Sequence, residues 1–328
     1  MTRKFKIKLL IFAVILILIN TALDQAFKAF SVHNILNRKM DEQFAAYDDT
    51  LKYLAFGNSH DCINTHILND CFNYGSPSEN YIQSYYKLKY ILEKSGKKPE
   101  YFLLQSDASS YGKKISDRYE YNSYWIKYID YIELAKVKDD RSVLWKWLEG
   151  MFFSYAGNYK DIQLSIVYRI KMKNLEMYRG FRPHRNFQNF ASDINRQKSA
   201  WNKASLINSS DGYFDPSIRY YFIKMLELCQ QYNVKLVLIR YPVSKEFDDE
   251  ERKIVPVDKL YTEVDSIAAK YSCYAGTLDY HNIYFDNPNY FFDPDHLNVQ
   301  GSDLLTERLA EDLQAIESQW LAGLSIDR

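Results

Sequence analysis

A chain of 328 residues with 42 Lys and Arg against 42 Asp and Glu carries no formal net charge, so it lacks the basic excess that a nucleic-acid-binding surface needs. Its 47% hydrophobic and 26% charged residues are ordinary globular usage, enough for one large domain or two smaller ones. The 29 tyrosines suit a core at least as well as a sugar-facing surface.

The chain opens on "MTRKFKIK", with Arg3, Lys4, Lys6 and Lys8, followed by the uncharged run "LLIFAVILILINTAL". The run is about 15 residues, shorter than the roughly 20 that span a bilayer. Phe5 and Ile7 lengthen it, and Lys6 and Lys8 can reach back to the headgroups. No small-x-small cleavage site follows, which favours a retained signal anchor over residues 1–23 against a removed signal peptide. In either case the basic flank stays in the cytoplasm and the rest of the chain is exported. Residues 24–48 read as a polar, partly helical stalk.

From there strands and helices alternate. "TLKYLAFGNS" reads as a first strand, residues 60–70 as a short helix, and "CFNYGS" as a short strand ending at a glycine. A helix follows over 78–96, with Ser78 as N-cap and Gly96 at its end, then a third strand, "PEYFLLQSD". Residues 108–212 break the rhythm and read as a mostly helical insertion, which also holds the basic loop "RGFRPHRNFQ". The alternation resumes with a helix capped by Asp215, the buried-strand run "VKLVLIRYPV", a helix over 256–271 and a weaker strand, "CYAGTLDY". The loop "NPNYFFDPDHLNVQG" leads into a last helix, "SDLLTERLAEDLQAIESQWL". This order predicts an α/β fold over 49–318, with a parallel sheet and right-handed crossovers. Ligands of such sheets sit beyond the carboxyl ends of the strands. Ser59, Gly75, Asp107, Pro242 and the 293–296 loop are therefore expected at one edge.

Ser59 ends the first strand in "YLAFGNSHD". Gly, Asn and Ser are also ordinary turn residues, but a serine in that place can be a nucleophile if a histidine takes its proton and a carboxylate orients that histidine. His296 in "DPDHLN" has Asp293 three residues before it and Asp295 beside it, so one loop can supply base and orienter, and Asp293 is assigned the orienting role. The second glycine of G-x-S-x-G is absent, and acid and base share a loop, which argues against an α/β-hydrolase. His60, directly after the nucleophile, reads as a turn or helix-start residue, with shaping of the site as the alternative. Arg240, Tyr241 and Lys245 follow a strand end and are candidates to line the pocket. His184 with Arg179, Arg182 and Arg185 is either an anionic-glycan site or a solvated loop. No partner is legible for His33, His66 or His281. Cys62, Cys71, Cys229 and Cys273 lack zinc-ligand spacing, so no metal is expected, and either disulfides (Cys62 with Cys71, Cys229 with Cys273) or four free buried thiols fit.

An early Gly-x-Ser and a late Asp-x-x-His together resemble the SGNH, or GDSL-like, hydrolase superfamily. "FGNSHD" looks like its first block, with Ser59 as nucleophile. "NYGSPSEN" looks like the second, with Gly75 as a backbone oxyanion donor, and "DPDHLNVQG" like the last, with Asp293 and His296. The resemblance covers about 49–107 and 213–316 and implies a three-layer, flavodoxin-like parallel sheet. Two blocks depart from the family: Asn58 stands where aspartate is usual, and "LLQSDAS" offers Gln105, Ser106 and Asp107 where the third block has an asparagine donor. Asn73 is a candidate substitute. A lost oxyanion donor costs about 10²–10³ in rate. The anchor, the altered blocks and the insertion are similar to membrane-anchored SGNH-like proteins of exopolysaccharide O-acetylation. That likeness implies an extracytoplasmic glycan as substrate, a membrane-bound O-acyltransferase as partner, no cofactor, and an acyl-serine intermediate in acetyl transfer or removal. The alternative is a non-catalytic SGNH-like module that binds glycan or scaffolds an envelope assembly.

Overall fold

The computed structural model describes residues 2–47, 51–60, 62–112, 124–156, 162–163, 165–166, 177–182, 190–207 and 213–326. In chain order these form α1 (Arg3–Phe30), α2 (Val32–Ala46), β1 (Tyr53–Phe56), β2 (Cys71–Asn73), α3 (Tyr81–Lys94), β3 (Tyr101–Gln105), α4 (Tyr131–Val137), α5 (Ser142–Phe152) and α6 (Arg196–Ala204). The chain continues with α7 (Pro216–Tyr232), β4 (Lys235–Arg240), α8 (Lys245–Glu251), α9 (Val257–Ala268), β5 (Tyr274–Asp279), β6 (Phe291–Asp293), β7 (His296–Leu297) and α10 (Val299–Ile326). They divide into two units: one holds Met1–Asp41 and Tyr119–Leu175, the other Glu42–Arg118 and Glu176–Arg328.

The larger unit is built on a five-stranded sheet in the order β2-β1-β3-β4-β5, with every pairing parallel. β1, β3 and nearly all of β4 are buried, as apolar runs covered on both faces must be. Tyr53, Ala55, Leu103, Val237 and Ile239 join Leu305, Leu309 and Leu313 of α10 and the hairpin residues Phe291 and Leu297 in one core. α3 and α7 pack together, and the Tyr86 and Tyr221 hydroxyls meet at 3.2 Å. Tyr101, Tyr111, Tyr221 and Tyr241 are almost fully buried, so these tyrosines serve packing. Each large apolar side chain buried in this way contributes about 1.5–3 kcal/mol. All four cysteines are buried and none is in a disulfide.

Strand order 2-1-3-4-5 reverses direction between β1 and β3, which opens a crevice at their carboxyl ends. Phe56 is in register with Leu104, so the residues that follow each strand, Gly57–His60 and Ser106–Asp107, leave the sheet side by side.

Several local expectations change. Residues 60–70 contain turns and no helix among the described residues. α3 is capped by Asn80 rather than Ser78: the Asn80 side chain accepts from the Ile82 and Gln83 N–H groups, and Gln83 reciprocates. Asp215 caps α7 as expected. The loop before the last helix is an antiparallel hairpin, β6 and β7, and α8 was not foreseen. The 108–212 insertion does not stay together. Its central part belongs with α1 in the smaller unit, whereas α6 belongs to the sheet-bearing unit.

Gly180 marks a tight contact within the larger unit. Its φ is +82°, and a Cβ there would lie 1.5 Å from the Asn73 carbonyl oxygen. Asn73 N–H also donates to the Arg179 carbonyl at 3.0 Å. Gly180→Ala is therefore expected to cost more than about 1 kcal/mol, since both backbone conformation and space exclude the methyl group. Urea unfolding checks this, and an unchanged midpoint would contradict it.

In the smaller unit, Asp41 accepts from the Tyr124 hydroxyl at 2.6 Å and pairs with Lys127 at 2.8 Å, and Tyr131 stacks on Trp147. α1 has 28 residues and a mean hydropathy of 2.2 over its most apolar window, so it is long and apolar enough to cross a membrane. It runs on to Phe30, past the expected end of the anchor at residue 23.

Candidate active site

Ser59 emerges half-buried from a turn just after β1. Asn58 builds that turn: its N–H donates to Gln105 Oε1 at 2.7 Å, and its side-chain oxygen accepts from His60 N–H at 3.0 Å. The Gly57 carbonyl accepts from Ser76 N–H at 3.1 Å, which ties the turn to the segment after β2.

The hairpin supplies the opposite wall. Asp293 and His296 are cross-strand partners, and His296 Nδ1 lies 2.8 Å from Asp293 Oδ1. Ser244 N–H donates to the Pro294 carbonyl at 2.9 Å and pins the hairpin tip to the loop after β4. The expected contact between His296 and Asp293 is thus formed, but it is shared. Asp295 Oδ1 lies 3.0 Å from the same His296 nitrogen. Lys203 Nζ of α6 lies 3.0 Å from both Asp293 and Asp295. Ser59 does not hydrogen-bond His296 among the described residues.

His60 is not a simple turn residue. It is buried, with Nδ1 at 3.0 Å from Asp107 Oδ2 and Nε2 at 3.1 Å from Asp295 Oδ2. Only the imidazolium can donate to both carboxylates at once. Burial works against that charge, but the hydrogen bonds to Asp107 and Asp295 outweigh it and raise the pKa to about 10. The His60 ring stands perpendicular to His296, with centroids 4.9 Å apart. Asp107 is held in turn by Gln105 Nε2 at 2.6 Å and the Tyr241 N–H at 2.7 Å.

Asp107, Asp293 and Asp295 therefore face two fixed cations, His60 and Lys203. A proton on His296 completes neutrality. Burial lowers the His296 pKa, yet Asp295 and Asp293 together raise it above its ordinary value. Burial likewise opposes ionisation of Asp295, but His296 and His60 hold its carboxyl well below the usual range. Lys203, opposed by its own burial, is held charged by Asp295 and Asp293. A cavity of about 700 Å³ opens beside this cluster, lined by Phe190, Asn202, Lys203, Leu206, Phe292 and Asp293 among others. It offers aromatic and polar walls next to the paired aspartate.

Other expected site residues are committed elsewhere. Gly75 N–H donates to Asn73 Oδ1 at 3.1 Å, so this candidate oxyanion donor is already engaged. Gln105 divides its amide between Asn58 and Asp107 and positions the Ser59 turn from below. Arg240 is bound by Asp265 at 2.7 Å and Asp279 at 2.9 Å and lies over the Tyr261 ring, where it clamps β4, β5 and α9 together instead of facing the cavity. Tyr241 is buried, and Lys245 pairs with Asp249. Arg179 covers the Tyr47 and Tyr178 rings, whereas His184 and Arg185 lie outside the described residues. His281, unassigned from sequence, bonds Asp248 at 2.8 Å, and His66 stacks on Tyr178.

His60, Asp295 and His296 present ligand atoms within 4.8 Å of one another, a spacing that a metal ion could use. The donor set fits poorly. Both His60 nitrogens already face carboxylates, and Lys203 pairs with Asp295, the one aspartate of the set.

The raised His60 pKa has a consequence for stability. The folded protein binds this proton more tightly than the unfolded chain, so the contribution is full below the ordinary value of 6.5 and is lost as pH rises toward about 10. Thermal melts across that window are expected to show a loss in the wild type and a flatter profile in His60→Gln. Parallel profiles would contradict the assignment.

No protein-family model matches the chain, and no curated protein matches it in sequence.

Proposed function

We propose that the protein is a serine-dependent O-acyltransferase or esterase acting on acetyl groups of an extracytoplasmic glycan, with Ser59 as nucleophile, His296 as base and Asp293 as orienter. The observation that carries this reading is the 2.8 Å contact between His296 Nδ1 and Asp293 on a hairpin at the sheet's carboxyl edge, where Ser59 also emerges. A histidine whose Nδ1–H is held by a carboxylate presents Nε2 as the basic atom.

In the proposed first step, Ser59 Oγ attacks the acetyl carbonyl carbon and its proton passes to His296. The ester C–O bond then breaks, and His296 returns the proton to the departing hydroxyl. Acetyl-Ser59 is next attacked by an acceptor hydroxyl, whose proton passes through His296 back to Ser59. A sugar acceptor makes the reaction transfer, and water makes it hydrolysis. His60 and Lys203 hold the aspartates, and Lys203 Nζ also lies 3.4 Å from His296 Nδ1. Residues 1–23 anchor the chain, with the remainder outside the cytoplasm, and a membrane-bound acyltransferase is the proposed acetyl donor.

A second reading, a glycan-binding module without catalysis, is favoured by the Gly75 N–H and the Gln105 amide, both of which are already engaged. Acetate release from p-nitrophenyl acetate by the purified full chain separates the two. The enzyme reading expects turnover that rises with pH through a midpoint above 6.5, because neutral His296 is the base and its pKa is raised. Glycan binding without release of acetate would favour the module.

A further inference from the structure

α1 leaves Phe5, Leu9, Ile11, Phe12, Ile15 and Ile19 exposed, and after Lys8 the next polar residue is Asn20. Phe5 to Leu23 covers about 28 Å at 1.5 Å per residue, close to the roughly 30 Å of a hydrocarbon core. The end of α1 at Asn20–Lys28 would therefore lie at one bilayer surface.

The end of α5 is fastened at that level. Asn20 Nδ2 donates to the Phe152 carbonyl at 3.0 Å, and Lys28 Nζ to the Met151 carbonyl at 2.8 Å. Asp24 accepts from Ser154 N–H at 2.8 Å and from its hydroxyl at 2.6 Å, and Tyr155 OH donates to Asn20 at 2.7 Å. With their backbone so committed, Phe152 and Phe153 remain 54% and 46% exposed, and Trp145, two turns earlier on α5, is 70% exposed. Beside them Leu23, Phe27, Phe30, Ile162 and Ile166 line an apolar hollow of about 360 Å³.

We infer that this collar is a second membrane contact: Trp145, Phe152 and Phe153, with Ile162 and Ile166, rest in the headgroup–acyl boundary of the bilayer that α1 crosses. The occupant is lipid because the hydrogen bonds set the collar's depth. Side chains fastened within a helix diameter of a spanning helix, at its end, lie in the interface, where aromatic residues are favoured. The inference rests on α1 being a membrane span.

The test uses the full chain in lipid vesicles, labelled with an environment-sensitive fluorophore at Phe152→Cys or, separately, at Leu10→Cys. The four native thiols are buried and leave the introduced one to react. Doxyl lipids carry the quencher either near the headgroup or near the chain end. The expected result is that the label at 152 loses most fluorescence to the shallow quencher and the label at 10 to the deep one. If the label at 10 is quenched and the label at 152 is not, the collar is overturned while the span stands. A label at 152 shielded from lipid and from aqueous iodide alike would mean that protein covers it, such as a second copy, and would also overturn the proposal. If the label at 10 escapes both lipid quenchers, the span fails and the collar with it.

Discussion

Ser59→Ala is expected to lower acetyl release on the order of 10⁶-fold, while glycan binding survives. The substitution removes the atom that forms the covalent bond and leaves the turn intact, because Asn58 and Gln105, not the serine hydroxyl, hold it. His296→Ala should be about as damaging, since members of such a set act as a unit. Asp293→Asn should cost as much or less, because the Asp295 carboxylate 3.0 Å away keeps a negative charge beside Nδ1. Steady-state rates of the purified variants check this series. Wild-type turnover in Ser59→Ala would end the enzyme reading.

The largest stability effect is expected at His60→Ala, about 3–5 kcal/mol, because it leaves Asp107 and Asp295 buried without their shared cation. From sequence, Asp295 is a bystander next to the orienter, and a change there should be mild. The structure reverses that expectation, since Asp295 bridges His60, Lys203 and His296. Asp295→Asn is therefore expected to destabilise on the same scale and to lower activity through His296. Urea unfolding followed by circular dichroism measures both. A shift under about 0.5 kcal/mol for His60→Ala would mean that the cluster contributes little, as for an exposed pair.

The sheet was legible because its strands are written in apolar runs. "YLAF", "YFLLQ" and "KLVLIR" need no tertiary information to be read as buried strands, and their alternation with amphipathic helices predicts the parallel sheet. The hairpin was not legible. β6 and β7 have only three and two residues, and the polar "DPD" that ends β6 and makes the turn masks the pairing. Asp293 and His296 were still found, because an i to i+3 carboxylate contact survives whether the segment is a turn or a hairpin. His60 was underestimated because its partners lie 47 and 235 residues away in sequence. One signal was present: His60 and Asp107 follow strands expected to end at the same edge, which places an imidazole and a carboxylate near each other. Lys203 carried no such signal, since α6 sits in a stretch without strand rhythm. Gly75 and Arg240 show a different limit of the sequence: motif position and strand ends suggest substrate contact, whereas the Asn73 side-chain oxygen accepts from the Gly75 N–H and two aspartates pair with Arg240.

Formation of a covalent acetyl-serine tests the central claim most directly. Purified full-length protein is mixed with p-nitrophenyl acetate, quenched in acid within the first turnover and digested, and the peptides are weighed. An acetyl group is expected on the peptide that carries Ser59 in the wild type, and none there in Ser59→Ala or His296→Ala. Acetate release with Ser59 unmodified at every quench time, or acetyl accumulating on another residue in wild type and Ser59→Ala alike, would contradict it.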